Sequence, residues 1–117
     1  MSRIEKTAQH LKKAISQILL LEIKDVRIGF VTVTRVRIAP DLKIARVYYT
    51  AIEGSVKKSD IQKGLNSASG YIRKLLAQRM KMKFTPEIKF YFDDTLEESL
   101  RVERILDELK DEDIKQD

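Results

Sequence analysis

An α+β fold, with helices packed on a small sheet, is what this sequence predicts, and three observations carry the prediction. Apolar residues recur at helical spacing near both ends and through the middle of the chain. Two β-branched runs lie either side of a turn, over 30–38 and 44–51. A third short run, 87–92, alternates apolar and polar residues as a half-buried strand does. The 117 residues are the length of one domain, and a fold of that size hides roughly two-thirds of its unfolded surface, enough for its own core.

From Arg3 to about Glu22, Ile4, Ala8, Leu11, Ala14, Ile15, Ile18 and Leu19 share one side of a helix, and Lys6, Gln9, Lys13 and Ser16 share the other. A polar connector follows, in which Gly29 can take the positive φ of a change in direction. In the first strand the alternate set Phe30, Thr32, Thr34, Val36 and Ile38 is the expected core face, which puts Arg35 and Arg37 outside. Ala39-Pro40-Asp41-Leu42 reads as the hairpin turn, because Pro40 fixes φ and Asp41 can bond nearby amides. With Ala45, Val47 and Tyr49 inward on the second strand, Arg46 also faces out.

Glu53-Gly54-Ser55 breaks the second strand, and Ser59-Asp60-Ile61-Gln62 has the form of a capping box, predicting a helix from near Asp60. Its pattern meets the small residues Ser67-Ala68-Ser69-Gly70, which predict a kink or break before the pattern resumes at Tyr71, Ile72, Leu75 and Leu76. Thr85-Pro86 ends that segment, and Ile88, Phe90 and Phe92 form the inward face of the third strand. Thr95-Leu96-Glu97-Glu98 is a second capping box, opening a final helix from about Leu96 to Lys110, with 111–117 as a solvated tail. The expected order is α-β-β-α-α-β-α.

Composition narrows the chemistry. With no Cys and one His, disulfides, thiol nucleophiles, iron–sulfur clusters and multi-histidine metal sites are excluded, and a reducing cytoplasm is the expected setting. The charged N-terminus and the short apolar run Ile18–Leu21 give neither a signal-peptide core nor a membrane span. The four glycines form no phosphate-cradling loop, and no Ser has a base partner at recognisable spacing, so no enzyme signature is found. Asp93, Asp94, Glu97 and Glu98 lack the ligand pattern of a calcium loop and read instead as acids at the positive end of a helix. Neither metal nor cofactor is expected.

Charge is unevenly divided. Residues 1–83 hold 18 Lys/Arg against six Asp/Glu, and residues 84–117 hold five against 12, within a net charge of +5. A basic body suits a polyanion, whose condensed counterions are released as phosphates are neutralised, and an acidic end curbs indiscriminate binding. Arg73, Lys74, Arg79, Lys81 and Lys83 fall in a stretch without an acid, and Arg73, Lys74 and Lys81 share an arc opposite Ile72, Leu75 and Leu76. That arc can track phosphates or be plain solvated surface; Arg79 points to the apolar side, where it snorkels or pairs internally. Arg35, Arg37 and Arg46 either contact phosphates and unpaired bases or act as charges that prevent strand-to-strand aggregation. Tyr48, Tyr49 and Tyr91 read as half-buried core rather than as stacking surfaces.

Val31-Thr-Val-Thr-Arg-Val36, Pro40-Asp-Leu-Lys-Ile-Ala-Arg-Val-Tyr48, Ser67-Ala-Ser-Gly-Tyr-Ile-Arg-Lys-Leu75 and Pro86-Glu-Ile-Lys-Phe90, followed by Asp93, resemble in content and order the ribosome-binding factor A family of bacterial small-subunit maturation factors. The resemblance runs from Arg3 to about Leu109 and departs at Val26, where the family usually has Pro, while Arg27 is retained. It implies a type II KH-like domain, α-β-β-α-α-β with a three-stranded mixed sheet, over residues 1–93, and an acidic C-terminal helix and tail over 94–117. It implies that Ala68, Ser69 and Gly70 form an interhelical kink in place of the G-x-x-G loop by which KH domains clamp nucleotides.

For function, the resemblance implies a non-enzymatic, RNA-binding assembly factor of the cytoplasm. Such a factor associates with free small (30S) subunits or precursors, assists late maturation of 16S rRNA including its 5′ region, and supports growth in the cold. RNA contact is carried to Arg3, Lys13, Arg27, Arg73, Lys74, Lys81 and Lys83, with Arg35, Arg37 and Arg46 added from the exposed-strand argument. The implied partners are the small subunit and its 16S rRNA, with ribosomal proteins and an assembly GTPase beside them and no membrane. A monomer is expected, since no helix is expected to expose an apolar face. Two competing readings are a protein-interaction module working through the acidic helix and a metal-dependent nuclease.

Overall fold

In the computed structural model of the chain, the described residues are 1–25, 27–28, 31–52 and 56–115. The departure at Val26, the turn at Gly29, the inward Phe30 and the break at Glu53-Gly54-Ser55 lie outside them. Six elements follow in order: α1 Arg3–Leu21, β1 Val31–Ile38, β2 Ile44–Ala51, α2 Lys58–Met80, β3 Glu87–Phe92 and α3 Thr95–Lys115. The sheet order is β1-β2-β3, with β1 antiparallel to β2 and β2 parallel to β3. A tight turn suffices for the first pair; the parallel pair needs a crossover, which α2 supplies. The mixed sheet of the KH-like expectation is therefore present.

α1 packs against β1 and α2 against β3, and one continuous core joins the helices to a single face of the sheet. Leu11, Ile15 and Ile18 of α1, Val47 and Tyr49 of β2, and Leu65, Ile72 and Leu76 of α2 are fully buried, each aliphatic chain contributing about 1.5–3 kcal/mol of transfer free energy. The Ser2 hydroxyl caps α1 by accepting from the Glu5 amide at 3.1 Å. Ile4, expected on the apolar side, is 40% exposed in the first turn.

Several expectations are corrected. In β1, Val33 and Val36 face the core, whereas Thr32 is exposed and Thr34 only half-buried. The register steps from Val33 opposite Tyr49 to Arg35 opposite Tyr48, so Thr34 is the extra residue of a β-bulge that inverts the alternation. Strict period-two reading fails at such a residue, although Arg35 and Arg37 beyond it still face out.

α2 is one unbroken helix of 23 residues, not two helices, and the order is α-β-β-α-β-α. Ala68, Ser69 and Gly70 run on within it; the Ser69 hydroxyl donates back to the Asn66 carbonyl at 2.8 Å, and a methyl added at Gly70 would meet nothing within 4 Å. Small helical residues remove packing without removing backbone hydrogen bonds, so they need not break a helix. Nor is Ser59 a cap: the cap position is Lys57, without a side-chain bond. Gln62 is engaged elsewhere, accepting from the Tyr49 hydroxyl and donating to the Phe90 carbonyl at 2.9 Å, which ties α2 to β2 and β3.

α3 extends to Lys115, so the helix continues through most of the expected tail. Val102, Ile105, Leu106 and Leu109 are 48–53% exposed and follow i, i+3, i+4, i+7 spacing, which makes one apolar stripe. The expectation that every helix packs its apolar face against the body thus fails here. The radius of gyration is 18.2 Å, against about 13 Å for a compact chain of this length, because α3 projects from the body. Among the described residues no helix is long and apolar enough to cross a membrane.

Candidate nucleic-acid interface

The clearest concentration of cations lies where three junctions meet: the start of α1, the β1–β2 turn and the link from α2 to β3. A hollow of about 890 Å³ there is lined by Arg3, Lys43, Arg73 and Lys83, by the apolar Leu42, Met82 and Phe84, and by a single acid, Asp41. The turn is built by the Leu42 amide donating to the Ala39 carbonyl at 2.8 Å and by the Lys43 amide donating to Asp41 Oδ1 at 3.0 Å. Leu42 takes φ 62° and Lys81, at the C-cap of α2, takes φ 51°. Left-handed backbone at a residue with a Cβ costs about 1 kcal/mol, and both residues stand beside the hollow in sequence. Arg73 is aimed by donating Nε and Nη2 to the Thr85 carbonyl at 3.1 and 2.9 Å. A carbonyl takes no charge from the guanidinium, so its cation remains available. Phe84 is 75% exposed, and the Lys83 ammonium stands 5.7 Å from its ring.

A second concentration occupies the sheet face opposite the core. Cross-strand register aligns Arg35, Tyr48 and Tyr91 in one row and Arg37, Arg46 and Lys89 in the next. The Arg35 guanidinium lies over the Tyr48 ring at 4.1 Å from its centroid, and Tyr48 and Tyr91 have centroids 5.7 Å apart. Tyr49, by contrast, is buried in the core, and burial raises its pKa. The half-buried or core reading of the three tyrosines therefore holds for Tyr49 and Tyr48 but not for Tyr91, which is 40% exposed.

Asp93 organises the edge of this face. Its Oδ2 accepts from the Thr34 hydroxyl at 2.6 Å, its Oδ1 accepts from the Thr95 amide at 3.0 Å, and its amide donates to the Tyr49 carbonyl at 2.7 Å. The Thr34 bond first, then the bonds from Thr95, and last the charge of Arg35 hold its carboxyl down at about 2. The acid thus satisfies the first amide of α3, in accord with the reading of the acidic cluster, while Thr95, expected as the cap, sits inside the helix.

The remaining candidates are separate. Arg27 is gripped by Asp25, with Nη2 to Oδ2 at 2.7 Å and Nε within 3.1 Å of both oxygens, so its charge is locally answered; the same bond lowers the Asp25 pKa. Arg79 pairs with Glu22 at 3.4 Å, as internal pairing predicts. Lys13 lines a smaller hollow with His10 and Arg79, and Lys74 and Lys81 are exposed on or just beyond the end of α2. The cations expected to contact RNA thus fall into two groups and a remainder. Sequence reasoning passed over Lys43 and Lys89. Lys89 was legible from its place between inward Ile88 and Phe90; Lys43 joins the hollow only through the turn. Among the described residues no three His, Asp or Glu side chains gather as a metal site needs.

Known proteins resemble the chain along most of its length. A family profile described as ribosome-binding factor A matches residues 3–106. A ribosome-binding factor A of Halothermothrix orenii is 42% identical over 110 residues, 94% of this chain and 90% of that one. Another, of Citrifermentans bemidjiense, is 43% identical over 107 residues, 92% of this chain and 90% of that one. The crystal structure of ribosome-binding factor A from Thermus thermophilus has a TM-score of 0.70 at 24% identity, covering 76% of this chain and 93% of its own. A Thermus thermophilus ribosome binding factor A homology model, fitted into a cryo-EM map of a 30S complex, has a TM-score of 0.63 at 23% identity, covering 81% of this chain and 97% of its own.

Proposed function

The chain belongs to the ribosome-binding factor A family, and from that membership we propose that it binds the RNA of free small ribosomal subunits or their precursors and assists late maturation of 16S rRNA, including its 5′ region. The observation that carries the reading is the hollow into which four separate segments deliver Arg3, Lys43, Arg73 and Lys83 against one acid. Cations fixed by a rigid fold track phosphates through counterion release and set the orientation of the protein on a folded RNA. A relative fitted into a 30S complex supports the choice of partner.

In mechanism, the basic surface holds rRNA helices in an immature arrangement and shifts the population of subunit conformations without making or breaking covalent bonds. Residues 1–93 act as the RNA-binding body and 94–117 as a modulator, in the cytoplasm and with a demand greatest in the cold. Nucleotide-resolution footprinting on small subunits tests this, comparing the natural chain with an Arg73→Glu, Lys83→Glu variant of unchanged circular dichroism. Discrete protection of 16S nucleotides that the variant loses is expected; identical protection by both sinks the reading. Incubation with precursor RNA and Mg²⁺ is expected to release no fragments.

A second reading is favoured by the half-exposed stripe Val102, Ile105, Leu106 and Leu109, set among acidic residues: α3 docks a basic ribosomal protein. Truncation after Asp93 separates the two. Retained subunit binding with a steeper salt dependence makes α3 a modulator, and complete loss with the body still folded makes it the docking element.

A further inference from the structure

The row of cations on the open sheet face calls for an explanation that stability does not give. Arg37, Arg46 and Lys89 stand directly opposite one another on three adjacent strands, and all three are exposed. Among the described residues none of them has a carboxylate within 4 Å, and the ion pairs are Arg27–Asp25, Arg35–Asp93 and Arg79–Glu22. Like charges opposite each other destabilise a sheet. Protection of sheet edges accounts for charges on β1 and β3 but not for Arg46, which is on the central strand and already paired on both sides.

The neighbouring row is aromatic and braced. Tyr48 is held between the Arg35 guanidinium on one side and Tyr91 on the other. Arg35 is itself fixed: its Nε is buried with no hydrogen-bond partner and lies 3.8 Å from Asp93. A guanidinium held between a carboxylate and a ring is a positioned stack rather than a mobile surface side chain. Tyr91 completes the row with an accessible ring.

We propose that this face is a stacking platform for unpaired nucleotides of RNA, with a base on the accessible ring of Tyr91, which Tyr48 and Arg35 brace from behind, and phosphates on Arg37, Arg46 and Lys89. Residues two apart along a strand are about 7 Å apart, the order of the reach from a nucleobase to its own phosphate, so the two rows suit one strand laid across the sheet. A duplex keeps its bases stacked inside and offers nothing to the tyrosines; a single strand offers both parts. This deepens the RNA-binding reading above and rests on it. It assigns the sheet face to single-stranded segments and leaves the helix-side hollow to structured RNA.

The test uses the full chain and a seven-nucleotide mixed-sequence RNA, single-stranded or annealed to its complement. Fluorescence anisotropy is expected to give tighter binding of the single strand. Tyr91→Ala lowers that affinity about tenfold, within the range of one lost aromatic–base stack, whereas Tyr91→Phe stays within twofold. Amide shifts in ¹H–¹⁵N spectra are expected on Arg37, Arg46 and Lys89. Single-strand affinity unmoved by Tyr91→Ala, with the variant's melting temperature retained, overturns the proposal, as do shifts confined to the surroundings of Arg73 and Lys83. If subunits are protected in footprinting and Tyr91→Ala changes nothing, the platform falls alone. If no subunit binding is found while the oligonucleotide behaves as stated, the platform stands and the ribosomal reading falls.

Discussion

Replacing Asp93 by Asn removes one charge and one acceptor from a point where three strands and a helix meet. In the folded chain the carboxyl is held at about 2, against 3.8 when unperturbed, and nearly two units correspond to about 2.4 kcal/mol between the charged and neutral forms. The bonds from Thr34 and Thr95 supply most of that difference and the charge of Arg35 the least; solvent screening at this edge makes about 1.5 kcal/mol the better figure. Asn keeps one carbonyl oxygen for either the Thr34 hydroxyl or the Thr95 amide, and the loss of the other bond already falls within that figure. The expected total is about 1.5 kcal/mol at pH 7, read by urea unfolding. Because the folded pKa is depressed, this stability is complete above about pH 5 and is lost as pH falls through 3.8 toward 2. The gap between the natural chain and Asp93→Asn should therefore close across that interval. A gap under about 0.5 kcal/mol at pH 7, or one that is the same at pH 3 and pH 7, refutes the reasoning.

Gly64 and Gly70 lie in one helix and should respond oppositely to Ala. At Gly64 a Cβ would stand 3.2 Å from Arg27 Cβ and 3.3 Å from Ile28 Cγ1, so thermal unfolding should show a net loss of about 1–2 kcal/mol. Gly70→Ala has open space and should stabilise by about 0.5–1 kcal/mol with RNA affinity unchanged; a fall in affinity would mean that the small-residue cluster contacts RNA. Gln62→Ala leaves the buried Tyr49 hydroxyl and the Phe90 carbonyl without their partner. A cost of about 1–3 kcal/mol is expected, and it should shrink when Tyr49→Phe is already present. Neutralising Arg73 and Lys83 together to Gln should flatten the slope of log affinity against log salt by up to about 1.8 for duplex RNA; an unchanged slope would show that neither side chain meets a phosphate.

How much was legible varies from element to element. The inward sets of α1, β2 and β3 were readable because burial on one side imposes a simple period on a regular backbone, and Arg46, Lys89 and Tyr91 follow as its outward complement. The expected face of β1 fails up to Thr34, since a bulge is fixed by what the partner strand and Asp93 offer Thr34 rather than by the residues of β1. The small-residue cluster suggested two helices, yet α2 is continuous because Tyr49 and Phe90 hold its first half through Gln62 and the buried Ile72 and Leu76 hold its second. Arg27 and Arg35 read equally well as free cations from sequence, and only the fold shows their carboxylates; internal pairing of Arg79 is legible from its apolar side, but its partner Glu22 is not.

By itself, then, the order of residues determined the element types, the cysteine-free chemistry and the excess of positive charge over the first 83 positions, all properties that depend on neighbours along the chain. Only the folded arrangement decided which cations share a hollow, which are answered by acids, and which align across three strands beside a braced tyrosine pair. Those relations join positions tens of residues apart, and their physical cause is register and packing between elements, which no local period records.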